Sequence, residues 1–382
     1  MKELCKHFGI CGGCDFQDVK YEEQLKAKEA RLKNIFSAFT ITNFESIAPS
    51  PEIFYYRNKM EYAVNNDREN IVIGLRQKKR FYRIVDLEEC RIFLDGVKDI
   101  FAVFKDWMKA NGIEPYQLKR HTGNIRYAAM RHSKYYNELM IIIVMASEED
   151  SPSALVDRLK SIKAVRSIYL CVNSGLSDVS IAGKTRLMHG ESHIRERINN
   201  IDYLIGPGSF FQTNPYCCGE LYSIIKDQVK HNGRQALDMC CGAGGITLQV
   251  ADNFDKVVGV DISAQNIEDA ITNAKINKIE NLEFICDDAQ NFLLNSVALK
   301  SAQAFSTIIL DPPRAGLSKK AREAVCSSGV ENVVYVSCNP VNLAEDLKTL
   351  TAAYNIEKMI PVDMFPHTRH VEVVAILKRS RV

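Results

Sequence analysis

The sequence predicts an α/β protein: a doubly wound, mostly parallel sheet in the C-terminal part, preceded by an α+β part. Three observations carry this prediction. After about residue 205, apolar strand-like runs alternate with helical runs. The first of those strands runs straight into a glycine-rich loop, Cys240-Cys241-Gly242-Ala243-Gly244-Gly245. The last two strand-like runs, near 356–363 and 370–378, are separated by a short loop and should close the sheet as an antiparallel hairpin.

Each element follows from its local pattern. Residues 17–39 read as a helix, with Leu25, Leu32, Ile35, Phe36 and Phe39 near a 3.6-residue period. Residues 53–85 read as a strand pair turning at Asn65-Asn66-Asp67. A helix over about 95–110 should stop at Asn111-Gly112. Strands follow at 125–132, 138–146 and 167–173, with a helix near 152–162. Gly206-Pro207-Gly208 marks a boundary between domains 1–205 and 206–382. Beyond it come strands at 235–239, 257–261, 282–286, 306–310 and 332–337, with helices clearest at 263–277 and 340–351.

Composition is that of a soluble protein, 46% apolar and 25% charged. It excludes bulk disorder, a collagen-like repeat and a small disulfide scaffold. No apolar run reaches the ~18 residues of a membrane span, and the N-terminus has no signal-peptide core, so a cytoplasmic location away from membranes is expected. Net charge is +2, but it is unevenly spread: +6 over 1–200 and −4 over 201–382. Residues 57–134 hold 17 basic against 10 acidic side chains, interleaved with Phe81, Tyr82, Tyr116, Tyr127, Tyr135 and Tyr136. Cations can neutralise phosphates and aromatic faces can stack on unpaired bases, although a solvated strand edge would look much the same.

The chemistry-bearing motifs fall at strand ends, where open α/β sheets bind ligands. Asp261 ends the second strand, 19 residues after Gly242, placed to accept hydrogen bonds from ribose hydroxyls. A dinucleotide wants a third loop glycine where Thr247 stands, so S-adenosylmethionine fits better. Asp311-Pro312-Pro313-Arg314-Ala315-Gly316 follows the fourth strand, in a loop stiffened by its prolines. Ser337-Cys338-Asn339-Pro340 follows the fifth and puts a thiol just before a helix, whose N-terminus can favour the thiolate. Glu372 lies in an otherwise apolar strand, as either an edge residue in solvent or a buried base with a raised pKa.

Twelve cysteines in a reducing compartment are not expected to be disulfides. Cys5, Cys11 and Cys14 (Cys-x5-Cys-Gly-Gly-Cys) with Cys90 could hold a tetrahedral zinc or a [4Fe–4S] cluster; spacing alone does not choose. Cys171, Cys217, Cys218, Cys286 and Cys326 are expected in cores or loops.

Phe210-Phe211-Gln212-Thr213-Asn214, the Asp311 and Cys338 motifs, and His367-Thr368-Arg369-His370-Val371-Glu372 together resemble the RNA uracil-C5 methyltransferases, in order across 206–382. The resemblance implies a Rossmann-like S-adenosylmethionine methyltransferase domain preceded by an iron–sulfur and RNA-binding domain. It implies that Gln212, Cys240, Gly242, Asp261 and Asp311 hold the cofactor, with Asp288 on the adenine side. It implies Cys338 as the nucleophile at uracil C6 and Glu372 as the base that removes the C5 proton. The target base must then be turned out of any stack.

Ribosomal members of this family bear the cysteine set and bind a [4Fe–4S] cluster, whereas the well-known transfer-RNA member lacks it. The resemblance therefore implies a cluster at Cys5, Cys11, Cys14 and Cys90, and 23S ribosomal RNA as the target, with transfer RNA as the alternative. With the first ligand at residue 5, no oligonucleotide-binding barrel is expected before it. A monomer acting on RNA rather than DNA is expected. Two departures stand out: Cys240 replaces the usual aromatic, and Gly245 stands where many members have Asn.

Overall fold

The computed structural model describes residues 4–229, 234–298 and 301–380. In chain order it begins with α1 (Tyr21–Ile35), β1 (Ile41–Phe44), β2 (Lys59–Asp67), β3 (Asn70–Gln77), β4 (Arg80–Asp86) and α2 (Val97–Asn111). Then come β5 (Ile125–His132), β6 (Leu139–Met145), α3 (Ser153–Leu159), β7 (Val165–Val172), β8 (Lys184–Gly190), β9 (Ile194–Ile198) and β10 (Ile201–Ile205). The remainder is α4 (Pro215–Gln228), β11 (Gln235–Met239), α5 (Gly245–Val250), β12 (Lys256–Asp261), α6 (Ala264–Ile276), β13 (Leu282–Cys286), α7 (Ala289–Ala298), β14 (Phe305–Leu310), α8 (Lys319–Ser327), β15 (Asn332–Ser337), α9 (Pro340–Leu350), β16 (Tyr354–Val362) and β17 (Glu372–Arg379). None of the described helices is long and apolar enough to cross a membrane.

The chain divides into two units. The first comprises Met1–Val19, Glu52–Arg197 and Leu204–Gly208, and the second Lys20–Pro51, Ile198–Tyr203 and Ser209–Val382. A single cut at 205/206 does not describe this division. The segment carrying α1 and β1 joins the second unit because β1 pairs in parallel with β16, Ile41 opposite Ile356.

The first unit is built on a seven-stranded sheet, β4-β3-β2-β5-β6-β7-β8. Where the sequence predicts a strand pair over 53–85 there are three strands. Asn65, Asn66 and Asp67 extend β2, and the chain reverses at Arg68-Glu69 and again at Lys78-Lys79. Arg68 (φ +59°) and Lys79 (φ +63°) take the left-handed conformation that two-residue hairpin loops demand. The asparagine side chains are engaged elsewhere: Asn65 Oδ1 accepts from Gln117 Nε2 at 3.0 Å, and Asn66 Nδ2 donates to Glu114 at 2.9 Å. As expected, α2 stops at Gly112, whose φ is +63°. The helix packs Phe101 edge-on to Tyr62 with ring centroids 4.9 Å apart.

The second unit is an eight-stranded sheet, β1-β16-β17-β15-β14-β11-β12-β13. β11 to β15 pair in parallel, while β17 is antiparallel to both β15 and β16, as the terminal hairpin predicts. Strand order reverses at β11, which lies between β12 and β14; a crevice at such a switch point is where these sheets bind ligands.

The α1 helix fastens the segment leading into β17. Gln24, Lys28 and Leu32, four residues apart on one helix face, are all buried. Lys28 Nζ donates to Asp363 Oδ1 at 2.5 Å and to the Phe365 carbonyl at 3.1 Å. Gln24 Oε1 accepts from the His367 backbone N–H at 3.0 Å, where the chain passes through φ +63°. Breaking a buried ion pair from one side strands the other charge. Lys28→Met should therefore lower the unfolding free energy by about 3–5 kcal/mol in a denaturant titration. Lys33→Met, which loses the exposed pair with Glu29 and a distant 6.0 Å contact over the Phe44 ring, should cost about 1 kcal/mol or less. Equal, small losses would contradict a fastening role for Lys28.

Candidate active site

The glycine-rich loop after β11 turns through left-handed backbone at Cys240 (φ +65°), Gly242 (φ +55°) and Gly244 (φ +83°). Gly242 N–H donates to Asp261 Oδ2 at 3.0 Å, which ties the loop to the tip of β12. Asp261 Oδ1 accepts from Ser263 N at 2.9 Å and Asn266 Nδ2 at 3.1 Å, so the carboxylate is fixed in orientation. Gly245 differs from the family habit for a local reason. A Cβ there would lie 2.4 Å from the Tyr222 hydroxyl, so a longer side chain has no room.

A small cavity at the C-terminal ends of β11 and β14 is lined by Phe210, Gln212, Asp238, Cys240, Ile246 and Asp311, among others. Gln212 Nε2 donates to Asp311 Oδ2 at 3.2 Å, so two expected cofactor residues meet. The Asp311 carboxyl is pushed up to about 7, chiefly by burial. Asp238 was not singled out by sequence. It is 1% exposed, is likewise pushed up to about 7 by burial, accepts from Thr247 Oγ1 at 2.5 Å, and leaves Oδ1 unbonded among the described residues. The signal was readable: an acid inside the apolar run Ala236-Leu237-Asp238-Met239. Asp288 is occupied differently: its Oδ1 accepts from Asn291 N at 2.9 Å and caps α7.

Cys338 lies between β15 and α9, half-buried, in a loop that Ser337 and Asn339 brace through hydrogen bonds of 3.2 Å. The expected easing of its ionisation by the helix end is outweighed. Burial, then Glu372 and Asp311, push the thiol up to about 11, opposed by Arg314 and by a backbone hydrogen bond at Cys338 itself. Glu372 is no edge residue, since β17 lies between β15 and β16. It is buried, its Oε2 has no hydrogen-bond partner among the described residues, and burial followed by Asp311 raises its pKa well above the carboxyl range. Nucleophile-type thiol, base-type carboxyl and Asp311 thus share one electrostatic environment in the second unit.

In the first unit, Cys5, Cys11, Cys14 and Cys90 line one cavity with Leu75 and Leu87. Burial pushes Cys11 up to about 11 and Cys14 to about 12, and their sulfurs also feel one another. Gly13 N–H donates to Cys11 Sγ at 3.3 Å and Gln17 Nε2 to Cys14 Sγ at 3.2 Å. The four cysteines share a cavity, but the expected metal site is not shown: among the described residues no three Cys, His, Asp or Glu side chains form a group that could hold a metal ion. Of the five other cysteines, Cys171, Cys217 and Cys218 are buried, Cys326 is half-buried and Cys286 is exposed.

A doubly wound sheet with a terminal antiparallel hairpin, a glycine loop after the first parallel strand and acids at the neighbouring strand ends defines a Rossmann-like methyltransferase. The comparisons with known proteins narrow that class. The model of the tRNA (uracil-5-)-methyltransferase family matches residues 20–380, and the chain belongs to that family. A tRNA (uracil(54)-C(5))-methyltransferase of Pyrococcus furiosus is 35% identical over 375 residues, 98% of this chain and 85% of that protein. An uncharacterised RNA methyltransferase of Nanoarchaeum equitans is 35% identical over 99% of this chain and 80% of its own length. The crystal structure of the Pyrococcus abyssi tRNA (uracil-54, C5)-methyltransferase with S-adenosyl-L-homocysteine superposes with a TM-score of 0.78 at 33% identity. It covers 97% of this chain and 86% of that one. The protein is accordingly an S-adenosylmethionine-dependent methyltransferase of uracil C5 in RNA.

Proposed function

We propose that the protein forms 5-methyluridine in transfer RNA, at the position its relatives' names give as 54. The observation that carries this reading is the match of those transfer-RNA enzymes along 98% of the chain. The expectation of 23S ribosomal RNA rested on the cysteine set, one local feature of the first unit, and transfer RNA replaces it.

The chain's own residues support a covalent route. Cys338 Sγ adds to C6 of the uracil, its proton passing to solvent, and the ring becomes an enolate with a nucleophilic C5. S-adenosylmethionine supplies the methyl group and, until then, a sulfonium charge. Glu372 accepts the proton that leaves C5, and elimination frees Cys338. An ionised Glu372 is disfavoured in the ligand-free site, and a cation among Asp238, Asp311 and Glu372 would lower all three. Gln212, Asp311, the Cys240–Gly242 backbone and Asp261 form the cofactor cradle. The remaining Asp288 oxygen is available on the adenine side.

The chain's residues also suit an iron–sulfur cluster at Cys5, Cys11, Cys14 and Cys90. A zinc ion draws four thiolates to about 2.3 Å from one point, whereas a four-iron cube offers each thiolate a separate corner. What supports the cluster is that all four cysteines line one cavity. The N–H groups of Gly13 and Gln17 would then stabilise cluster sulfur charge, and the cluster would staple residues 5–14 to the sheet.

Two measurements test these readings. Transfer RNA transcribed with 5-fluorouridine carries no removable C5 proton, so with S-adenosylmethionine it should trap a denaturation-stable adduct. Cys338→Ala should form none. An adduct with Cys338→Ala, or none with the native enzyme, contradicts the route. Anaerobically purified protein should contain about four irons and four sulfides per chain; stoichiometric zinc without iron would overturn the cluster.

A further inference from the structure

In the first unit, two hollows of about 630 and 730 Å³ share Asn65, Asn66, Arg68, Tyr82 and Ile84 in their linings. They form one groove along β2 to β4 and the 114–123 loop. Eight basic and three acidic side chains line it. The acids are already engaged: Asp67 with Arg83 at 3.7 Å, Asp178 with Arg76, and Glu114 with Asn66. Arg68, Lys79, Arg80, Lys119 and Arg120 are exposed and have no acidic partner among the described residues. This unbalanced positive charge calls for an anionic ligand.

Aromatic faces lie beside the cations. Phe81 and Tyr82 are 54% and 57% exposed. The Arg76 guanidinium stacks 3.9 Å from the Phe81 centroid, and Lys119 Nζ sits 4.4 Å from that of Tyr82. The groove is also built rather than incidental. Arg126, 2% exposed, donates to the carbonyls of Asn173 (2.7 Å), Gly175 (2.5 Å) and Ser177 (2.6 Å) and stacks 4.4 Å from Tyr116. It thereby holds the segment from which Asp178 reaches Arg76 and Tyr127. Arg126 Nε has no partner among the described residues. The opposite wall turns at Gly123 (φ +83°), where any Cβ would come within 2.2 Å of the Pro115 carbonyl.

We infer that this groove binds an unpaired stretch of the RNA substrate, with phosphates on the cations that lack an acidic partner and a base on Tyr82. A duplex hides its base faces in the stack, so an aromatic platform favours a single strand. The inference rests on the reading of the enzyme as one that acts on RNA, and it names the surface that reading leaves open.

The test uses the full chain and fluorescence anisotropy. The probes are a labelled oligouridylate of about 12 nucleotides, within the site sizes of such grooves, and a blunt RNA duplex of the same length. Tyr82→Ala should weaken the single strand roughly 5- to 150-fold and the duplex far less. Lys119→Ala/Arg120→Ala should lower the salt slope of binding by about 1–2. Calorimetric affinity for S-adenosylmethionine, read in the second unit, and the circular-dichroism spectrum and thermal melt of the full chain should match the native protein and so confirm folding. Unchanged affinity and slope in both variants would overturn the inference. So would an equal loss for the duplex with Tyr82→Ala. No readout involves methyl transfer, so failure here is distinct from failure of the adduct assay.

Discussion

The half-buried Asp311 carboxyl at the end of β14 sits where its charge is disfavoured. The Gln212 amide supports it from 3.2 Å, and its pKa rises to about 7. An ionised carboxylate in such a place is costly unless a cation or several donors compensate it. Asp311 raises Asp238 on the cofactor side, and Glu372 and Cys338 on the other. One half-buried acid therefore couples the cofactor cradle to the residues proposed to carry the chemistry. The folded protein holds these protons more tightly than the unfolded chain does. Their burial costs stability, increasingly as pH rises from the ordinary carboxyl range toward about 7. A cation bound in the site would offset that cost, which gives the acids a reason to be there.

The scaffold keeps this arrangement rigid. Parallel strands β11, β12 and β14 bring the glycine loop, Asp261 and Asp311 to one edge of the sheet. Antiparallel β17 brings Glu372 beside β15, which ends at Ser337 and delivers Cys338. The approach to β17 is pinned by Lys28 and Gln24 of α1, more than 330 residues earlier in the chain.

Much of this was legible from sequence because apolar runs bounded by polar strand ends are a local signal. Asp261, Asp311, Cys338 and Glu372 each interrupt such a run, and each lies where a strand starts or ends. What was not legible depends on distant partners. The four-residue β1 is a strand only because β16 is there to pair with it. Lys28 on a buried helix face makes sense only with Asp363. The three-stranded meander was hidden because β4, Arg-Phe-Tyr-Arg at its start, is mostly exposed and shows no core alternation. The local rule that a helix N-terminus eases thiol ionisation fails at Cys338 because burial, and after it Glu372 and Asp311 from other segments of the chain, outweigh it. The RNA target is not legible from one local feature: the four cysteines point toward ribosomal RNA, whereas a transfer-RNA enzyme matches along 98% of the chain.

The central claim is that the buried acids form a site for a cation. It is tested most directly by calorimetric affinities for S-adenosylmethionine and for S-adenosylhomocysteine, which differ by one methyl group and the sulfonium charge. Affinity for S-adenosylmethionine should rise as pH passes from about 6 to about 8, through the ionisation of Asp238 and Asp311. Affinity for S-adenosylhomocysteine should rise less. Parallel pH profiles for the two ligands, or an affinity for S-adenosylmethionine that falls over that range, would contradict the account.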